Sequence, residues 1–142
     1  MSNPVFHLAF PIIDIEETRR FYVNVLVCRV GREAPKWIDF DFFGHQISAH
    51  VYPDACTTAP TNPVDGDGVP VRHFGCVLTM DAWTSLRDRL VERNTTFLIE
   101  PKIRFVGEVG EQATMFITDP SGNGLEFKAF QDNQALFARS DD

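Results

Sequence analysis

A chain of 142 residues, 44% hydrophobic and 23% charged, suits one domain with its own core and needs no disulfide scaffold or structural metal merely to fold. The formal net charge is -7 and no basic cluster is present, which argues against nucleic acid and anionic membranes as main partners. Cys28, Cys56 and Cys76 are odd in number and lack CxxC spacing, so a reduced, cytoplasmic protein is the simplest reading; "PVFHLAFPII" is too short to span a membrane and lacks the preceding positive charge of a signal peptide.

Residues 4–52 read as a first module. "VFHLAFPI" is a strand candidate of β-branched, aromatic and aliphatic residues. In "DIEETRRFYVNVL", Asp14 can cap a helix and Glu17 stands like the fourth residue of a capping box. Thr18, Phe21, Tyr22 and Val25 then form one helical face. "WIDFDFF" alternates Ile38, Phe40 and Phe42 with Asp39 and Asp41, a half-buried strand with its aspartates on a solvated face. Gly44-His45 permits a tight turn into the strand "QISAHVY". Residues 53–70, "PDACTTAPTNPVDGDGVP", carry no apolar period and read as a flexible connector.

Residues 71–131 repeat the pattern. "VRHFGCVLT" opens as a strand. "MDAWTSLRDRLVERN" follows as a helix, with Asp81 as cap candidate, Trp83, Leu86 and Leu90 on one face and Asn94 as a stop. "TTFLIEP", "EQATMFITD" and "GLEFKAF" read as strands, and 132–142 is a C-terminal tail. Neither half makes a good core alone. The expectation is a single α+β domain over 1–142, its two modules joined into a curved, partly open β-barrel with helices outside.

Strand periodicity sets His7 beside Val5 and Ala9, opposite Phe6, Leu8 and Phe10. His73 shares a face with Val71, Gly75 and Val77, so the two histidines hold matching positions. The large apolar residues must pack on the helices, which leaves both histidines on the concave side. Glu126 sits likewise in the last strand, and Gln46, Ser48 and His50 form a polar stripe. Singly, a strand histidine is more often a hydrogen-bonded structural residue, and a carboxylate is more often paired with Arg or Lys. Two imidazoles and a carboxylate on one concave surface make a facial triad for a divalent metal with open positions, and the metal supplies the charge that Glu126 needs among apolar neighbours.

The chain resembles the vicinal oxygen chelate superfamily, which includes glyoxalase I, fosfomycin-resistance proteins, methylmalonyl-CoA epimerase and extradiol dioxygenases. The resemblance rests on the paired modules of βαβββ type, His7 in "FHLAF", "RRFYVNVL", His73 in "RHFGCVL", and "DPSGNGLEF". "WIDFDFFGHQ", "NPVDG", "GEQATMF" and "DPSGNGLEFKAF" look, more narrowly, like small predicted extradiol-type dioxygenases. The resemblance implies metal ligands at His7, His73 and Glu126. The implied metal is Fe(II), with Mn, Zn or Ni as alternatives. It also implies a small catechol-like diol as substrate and a homodimer in which each site lies within one chain or is shared across two.

His50 fits the acid–base histidine of the dioxygenases by position, or a fourth ligand of the glyoxalase kind; the bland reading is a partly exposed strand histidine. Ser48, Tyr52, Arg104 and Phe116 are the substrate-binding candidates. Phe116 stands where ring-cleaving relatives usually carry a tyrosine, and Tyr52 is the substitute. Arg104 suits an anionic substrate or, alternatively, a surface pairing with Glu108 or Glu111. Val27 stands where the family usually has glycine. Cys76 faces away from His73 and reads as an inert buried thiol. Lyase or isomerase activity of the glyoxalase or epimerase kind is the alternative function, and metal-free sequestration of a small molecule, as in bleomycin resistance, is the third.

Overall fold

The computed structural model describes residues 3–139; residues 140–142 of the expected tail lie outside the described residues. The chain forms two compact units. Unit 1 comprises Met1–Thr58 and Asp119–Asn123, and unit 2 comprises Ala59–Thr118 and Gly124–Asp142.

In unit 1, β1 (His7–Ile12) leads into α1 (Ile15–Arg20) and a π-helical turn (Phe21–Val25), then β2 (Arg29–Ala34), β3 (Trp37–Phe42) and β4 (His45–Val51). The sheet order is β1-β4-β3-β2, with β1 parallel to β4 and the other pairs antiparallel. Unit 2 opens with a hairpin of β5 (Thr61–Val64) and β6 (Asp67–Pro70). It continues through β7 (Phe74–Leu78), α2 (Met80–Glu92), β8 (Phe97–Arg104), β9 (Gln112–Thr118) and β10 (Gly124–Ala129). Its sheet order is β7-β10-β9-β8, again with first and last strands parallel. The shared strand order makes both modules βαβββ and the class α+β. The two four-stranded sheets share no ladder among the described residues, so the strands do not close into one hydrogen-bonded barrel.

Local chemistry explains the elements. Asp14 caps α1 in extended conformation, its Oδ2 accepting from the Glu17 amide at 2.8 Å. The helix widens where the Leu26 amide donates to the Phe21 carbonyl five residues back. Val27 then adopts φ +60°, the left-handed conformation that glycine accepts freely and a β-branched residue does not. The turn between β3 and β4 is Phe43-Gly44, rather than Gly44-His45, with φ positive at both. Asp65-Gly66 repeats that geometry between β5 and β6, so the stretch expected to be a connector contains a hairpin. The cap of α2 is Thr79, which accepts from the Ala82 amide; Asp81 lies inside the first turn. Asn94, at φ +56°, follows the helix end.

Unit 1 packs its core around Tyr22, whose ring stacks on Phe40 at 5.0 Å, with Phe10, Ile12, Ile38 and Ile47 also buried. Unit 2 buries Trp83, Leu86 and Leu90 of α2, and Leu125, Phe127 and Ala129 of β10. Trp83 Nε1 donates to the Phe127 carbonyl at 2.8 Å, tying α2 to β10. Among the described residues no helix is long and apolar enough to cross a membrane.

Candidate metal centre

Glu126 lies in the middle of β10, directly opposite Phe116 on β9 and Gly75 on β7. A Cβ at position 75 would run into the Glu126 carbonyl oxygen, so only glycine lets β7 approach there. The Glu126 side chain is 14% exposed, and both carboxylate oxygens are engaged. Oε2 accepts from Thr114 Oγ1 at 2.6 Å, and Oε1 lies 3.1 Å from His73 Nε2.

His73 stands on the residue before β7 rather than within a strand. Its Nδ1 lies 2.7 Å from the Pro70 carbonyl, which can only accept, so Nδ1 carries a proton. In a neutral ring Nε2 would then be a bare lone pair facing a carboxylate. Two acceptors at 3.1 Å need a cation between them or a second proton on the ring. The pKa shifts express the same demand. The Glu126 hydrogen bond holds His73 above its ordinary value, against burial and with help from the Pro70 carbonyl. Burial pushes Glu126 up, but the hydrogen bonds from His73 and Thr114 and the charge of Lys128 outweigh it and leave the carboxyl below its ordinary range. This donor pair fits a divalent ion: one imidazole with its far nitrogen anchored and one carboxylate with its second oxygen anchored.

Unit 1 presents its histidine in a similar way. His7 is exposed at the start of β1, in register with Gln46 on β4. Its Nδ1 lies 2.8 Å from Gln46 Oε1. Gln46 Nε2 donates to Asp39 Oδ2 at 3.3 Å, and Ser48 Oγ donates to Asp39 Oδ1 at 2.6 Å. Asp39 is therefore buried, only 5% exposed, where its alternation with Ile38 and Phe40 suggested a solvated face; Asp41 does face solvent. A pocket of about 300 Å³ adjoins this chain of bonds, lined by Val5, Gly31, Arg32, Asp39, His45 and Gln46 among others.

Phe116 joins His73 and Glu126, its ring meeting the imidazole edge-on at 5.0 Å. His50 is exposed on the same β4 face as Gln46 but four residues farther along, about 13 Å at the strand rise, and is not brought beside His7. Ser48 spends its hydroxyl proton on Asp39. Tyr52, just past β4, is 63% exposed. Arg104 is 2% exposed and is no surface partner of Glu108 or Glu111. Its Nη1 donates to the Val64 carbonyl at 2.6 Å and its Nη2 to Asp67 at 3.0 Å, clamping β8 to the β5–β6 hairpin beside the Lys102–Asp67 pair. Burial pushes the half-buried Cys76 thiol up to about 11, in keeping with an inert residue. Among the described residues no group of three His, Cys, Asp or Glu side chains stands together to hold an ion.

Sequence reasoning missed Thr114, Gln46 and Asp39 as participants. Thr114 sits inside "EQATMF" two residues from Phe116, so strand periodicity puts it on the Glu126 face. Gln46 lies on the polar stripe but was outweighed by His50. The motif "DPSGN" acts in unit 1: the Asp119 carboxylate accepts from Tyr22 Oη, the Ser121 and Asn123 amides and Asn123 Nδ2, each at 2.9 Å. Ser121 Oγ and Asn123 Nδ2 further bind the Ile13 amide and the Pro11 carbonyl beside β1.

Residues 5–127 match the family model described as Glyoxalase/Bleomycin resistance protein/Dioxygenase superfamily. A glyoxalase/bleomycin resistance protein/dioxygenase from Alicyclobacillus acidocaldarius is 34% identical, with 95% of this chain and 97% of that one covered at a TM-score of 0.77. The genomically encoded fosfomycin resistance protein FosX from Listeria monocytogenes shares the fold at 14% identity, with coverage of 96% and 100% and a TM-score of 0.71. A virulence protein from Salmonella typhimurium does so at 22% identity, 92% and 98% coverage, and a TM-score of 0.62. Matched over most of its length, the chain belongs to the glyoxalase/bleomycin resistance protein/dioxygenase superfamily.

Proposed function

We propose that the protein is a metal-dependent dioxygenase of the extradiol type acting on a small catechol-like diol, with His7, His73 and Glu126 as a 2-His-1-carboxylate ligand set. The observation that carries the reading is the His73–Glu126 pair, two acceptors converging at 3.1 Å with their outer atoms already anchored. The three-donor set is supported by β4, where Gln46 and Ser48, in register with His7 and Ala9, are neither carboxylates nor imidazoles and are engaged with His7 and Asp39. A three-donor set would leave open positions for a chelating diol and oxygen, whereas His50 as a fourth ligand belongs to the glyoxalase-like alternative.

A bound Fe(II) supplies Lewis-acid polarisation of the diol oxygens and the electrons for oxygen chemistry. The chain's own residues do the rest. Pro70 holds the His73 ring so that Nε2 is presented. Thr114 fixes one Glu126 oxygen and leaves the other directed at His73. Phe116 forms an apolar wall beside the imidazole and limits water. His50, on the same β4 face as Gln46, is the candidate acid–base residue, with Tyr52 near it in sequence.

The test is oxygen uptake by anaerobically Fe(II)-loaded protein against a panel of catechols. Uptake with at least one, lost in Glu126→Ala, is expected; no uptake with any refutes the dioxygenase. One observation favours a lyase or isomerase instead: Phe116 offers no hydroxyl beside His73. That reading predicts a Ni, Co or Zn preference and turnover without oxygen. His7 joins the pair from the same chain or from a second copy in a homodimer. Mixing His7→Ala with His73→Ala protein after partial denaturation restores some intact sites only if sites are shared.

A further inference from the structure

We infer that Asp39, acting through Gln46, is a positioning residue that fixes the tautomer of His7 and so presents its Nε2 to a divalent cation. The inference rests on the ligand role proposed for His7.

Hydrogen-bond direction sets the tautomer. An ionised carboxylate only accepts. Asp39 therefore receives both of its bonds, from Ser48 Oγ at 2.6 Å and from Gln46 Nε2 at 3.3 Å. That orients the Gln46 amide, because its NH2 must face Asp39 and its oxygen must face His7. The oxygen lies 2.8 Å from His7 Nδ1, which must then be the protonated nitrogen. Nε2 is left bare, the form in which imidazole binds a metal. The His73 ring reaches the same state more simply, through the Pro70 carbonyl at 2.7 Å. His7 meets a side-chain amide instead, which alone could turn either way and needs an acceptor-only group behind it.

Burial of Asp39 makes sense on these terms. A carboxylate at 5% exposure is costly unless its bonds do something in return. Among the described residues its ion-pair partner is Arg32, 82% exposed and 3.9 Å away, too loose to explain the burial. Asp41, two residues on, faces solvent in the ordinary way.

The test begins with metal-free protein at pH 8, where two-bond 15N–1H correlations report the tautomer of each histidine. His7 is expected as the Nδ1–H form. In Asp39→Asn the Gln46 amide is free to turn, and in Gln46→Leu the acceptor is gone. Both variants are expected to give mixed tautomers and to bind Zn(II), measured by chelator competition, 10–100-fold more weakly, the usual effect of losing a partner behind a ligand. A variant that merely loosened the fold would shift many resonances; the His73 signals are expected to stay in place. An Nε2–H His7 in the unmutated protein overturns the inference without any variant. Unchanged Zn(II) affinity in both variants, with tight binding to the unmutated protein, overturns the inference and leaves the ligand set standing. Absence of Zn(II) binding to the unmutated protein refutes the ligand set and the inference together.

Discussion

Thr114→Val removes one atom's chemistry from the centre and little else. Valine is nearly isosteric, and Thr114 is fully buried, so the change deletes the Oγ1 donor 2.6 Å from Glu126 Oε2 without opening a cavity. A hydrogen bond to a charged group contributes about 1.5–3 kcal/mol, and no water replaces it at a buried site. With a urea m-value of about 2 kcal/mol/M, the unfolding midpoint of metal-free protein at pH 7 falls by about 1 M. The loss has a pH signature. Glu126 is held below its ordinary value, so its contribution is present above the unfolded carboxyl pKa of about 4.3 and disappears as pH falls through the folded value. The difference between variant and unmutated protein therefore holds from pH 8 to about 5 and shrinks below that. Equal midpoints at pH 7, or a deficit that persists unchanged into acid, would refute the assignment of Thr114 as the anchor of an ionised Glu126.

Tyr22→Phe deletes the donor to buried Asp119 at 2.9 Å and is expected to cost about 1.5–3 kcal/mol, read as a fall in Tm; a shift near zero would mean that the other three donors satisfy Asp119 alone. Val27→Gly relieves the left-handed valine and is expected to stabilise by roughly 0.5–1 kcal/mol, after glycine's greater unfolded-state entropy is subtracted; destabilisation would contradict the strain. The His73–Glu126 pair predicts a stability window for metal-free protein. The raised His73 contributes fully below about pH 6.5 and loses its contribution as pH rises through its folded value, whereas Glu126 loses its own in acid. The Tm difference between unmutated protein and His73→Gln should thus peak between about pH 4.5 and 6.5, and a flat difference would count against the pair.

The repeat was legible because each half carries its own periodicities: alternating Ile38, Phe40 and Phe42, and the Trp83, Leu86 and Leu90 face, all of them buried in the structure. β2 was missed because "RVGREA" is an edge strand, largely exposed and without alternation. The β5–β6 hairpin was missed because Pro and Gly suggested a connector, although Asp65-Gly66 is a strong turn signal for two paired strands. At the site, strand periodicity put His7, His73 and Glu126 on matching faces, and the structure brings His73, just before β7, within 3.1 Å of Glu126. Asp39 was not legible, since its alternation is that of a solvated residue and only the tertiary path through Gln46 and Ser48 explains its burial. The burial of Arg104 is not legible for a related reason: its partners, Val64 and Asp67, lie in the β5–β6 hairpin, whose residues carry no apolar period.

The proposed convergence of His73 and Glu126 on a cation separates a metal centre from a plain ion pair. Its most direct test is elemental analysis of protein purified under low oxygen without added metal, beside a Glu126→Ala control. About one equivalent of iron or manganese per chain, absent from the control, is the predicted result. No metal in the unmutated protein, even after reconstitution with Fe(II), Mn(II), Zn(II) and Ni(II), would contradict the account and leave the pair as an imidazolium–carboxylate bridge in a small-molecule-binding protein.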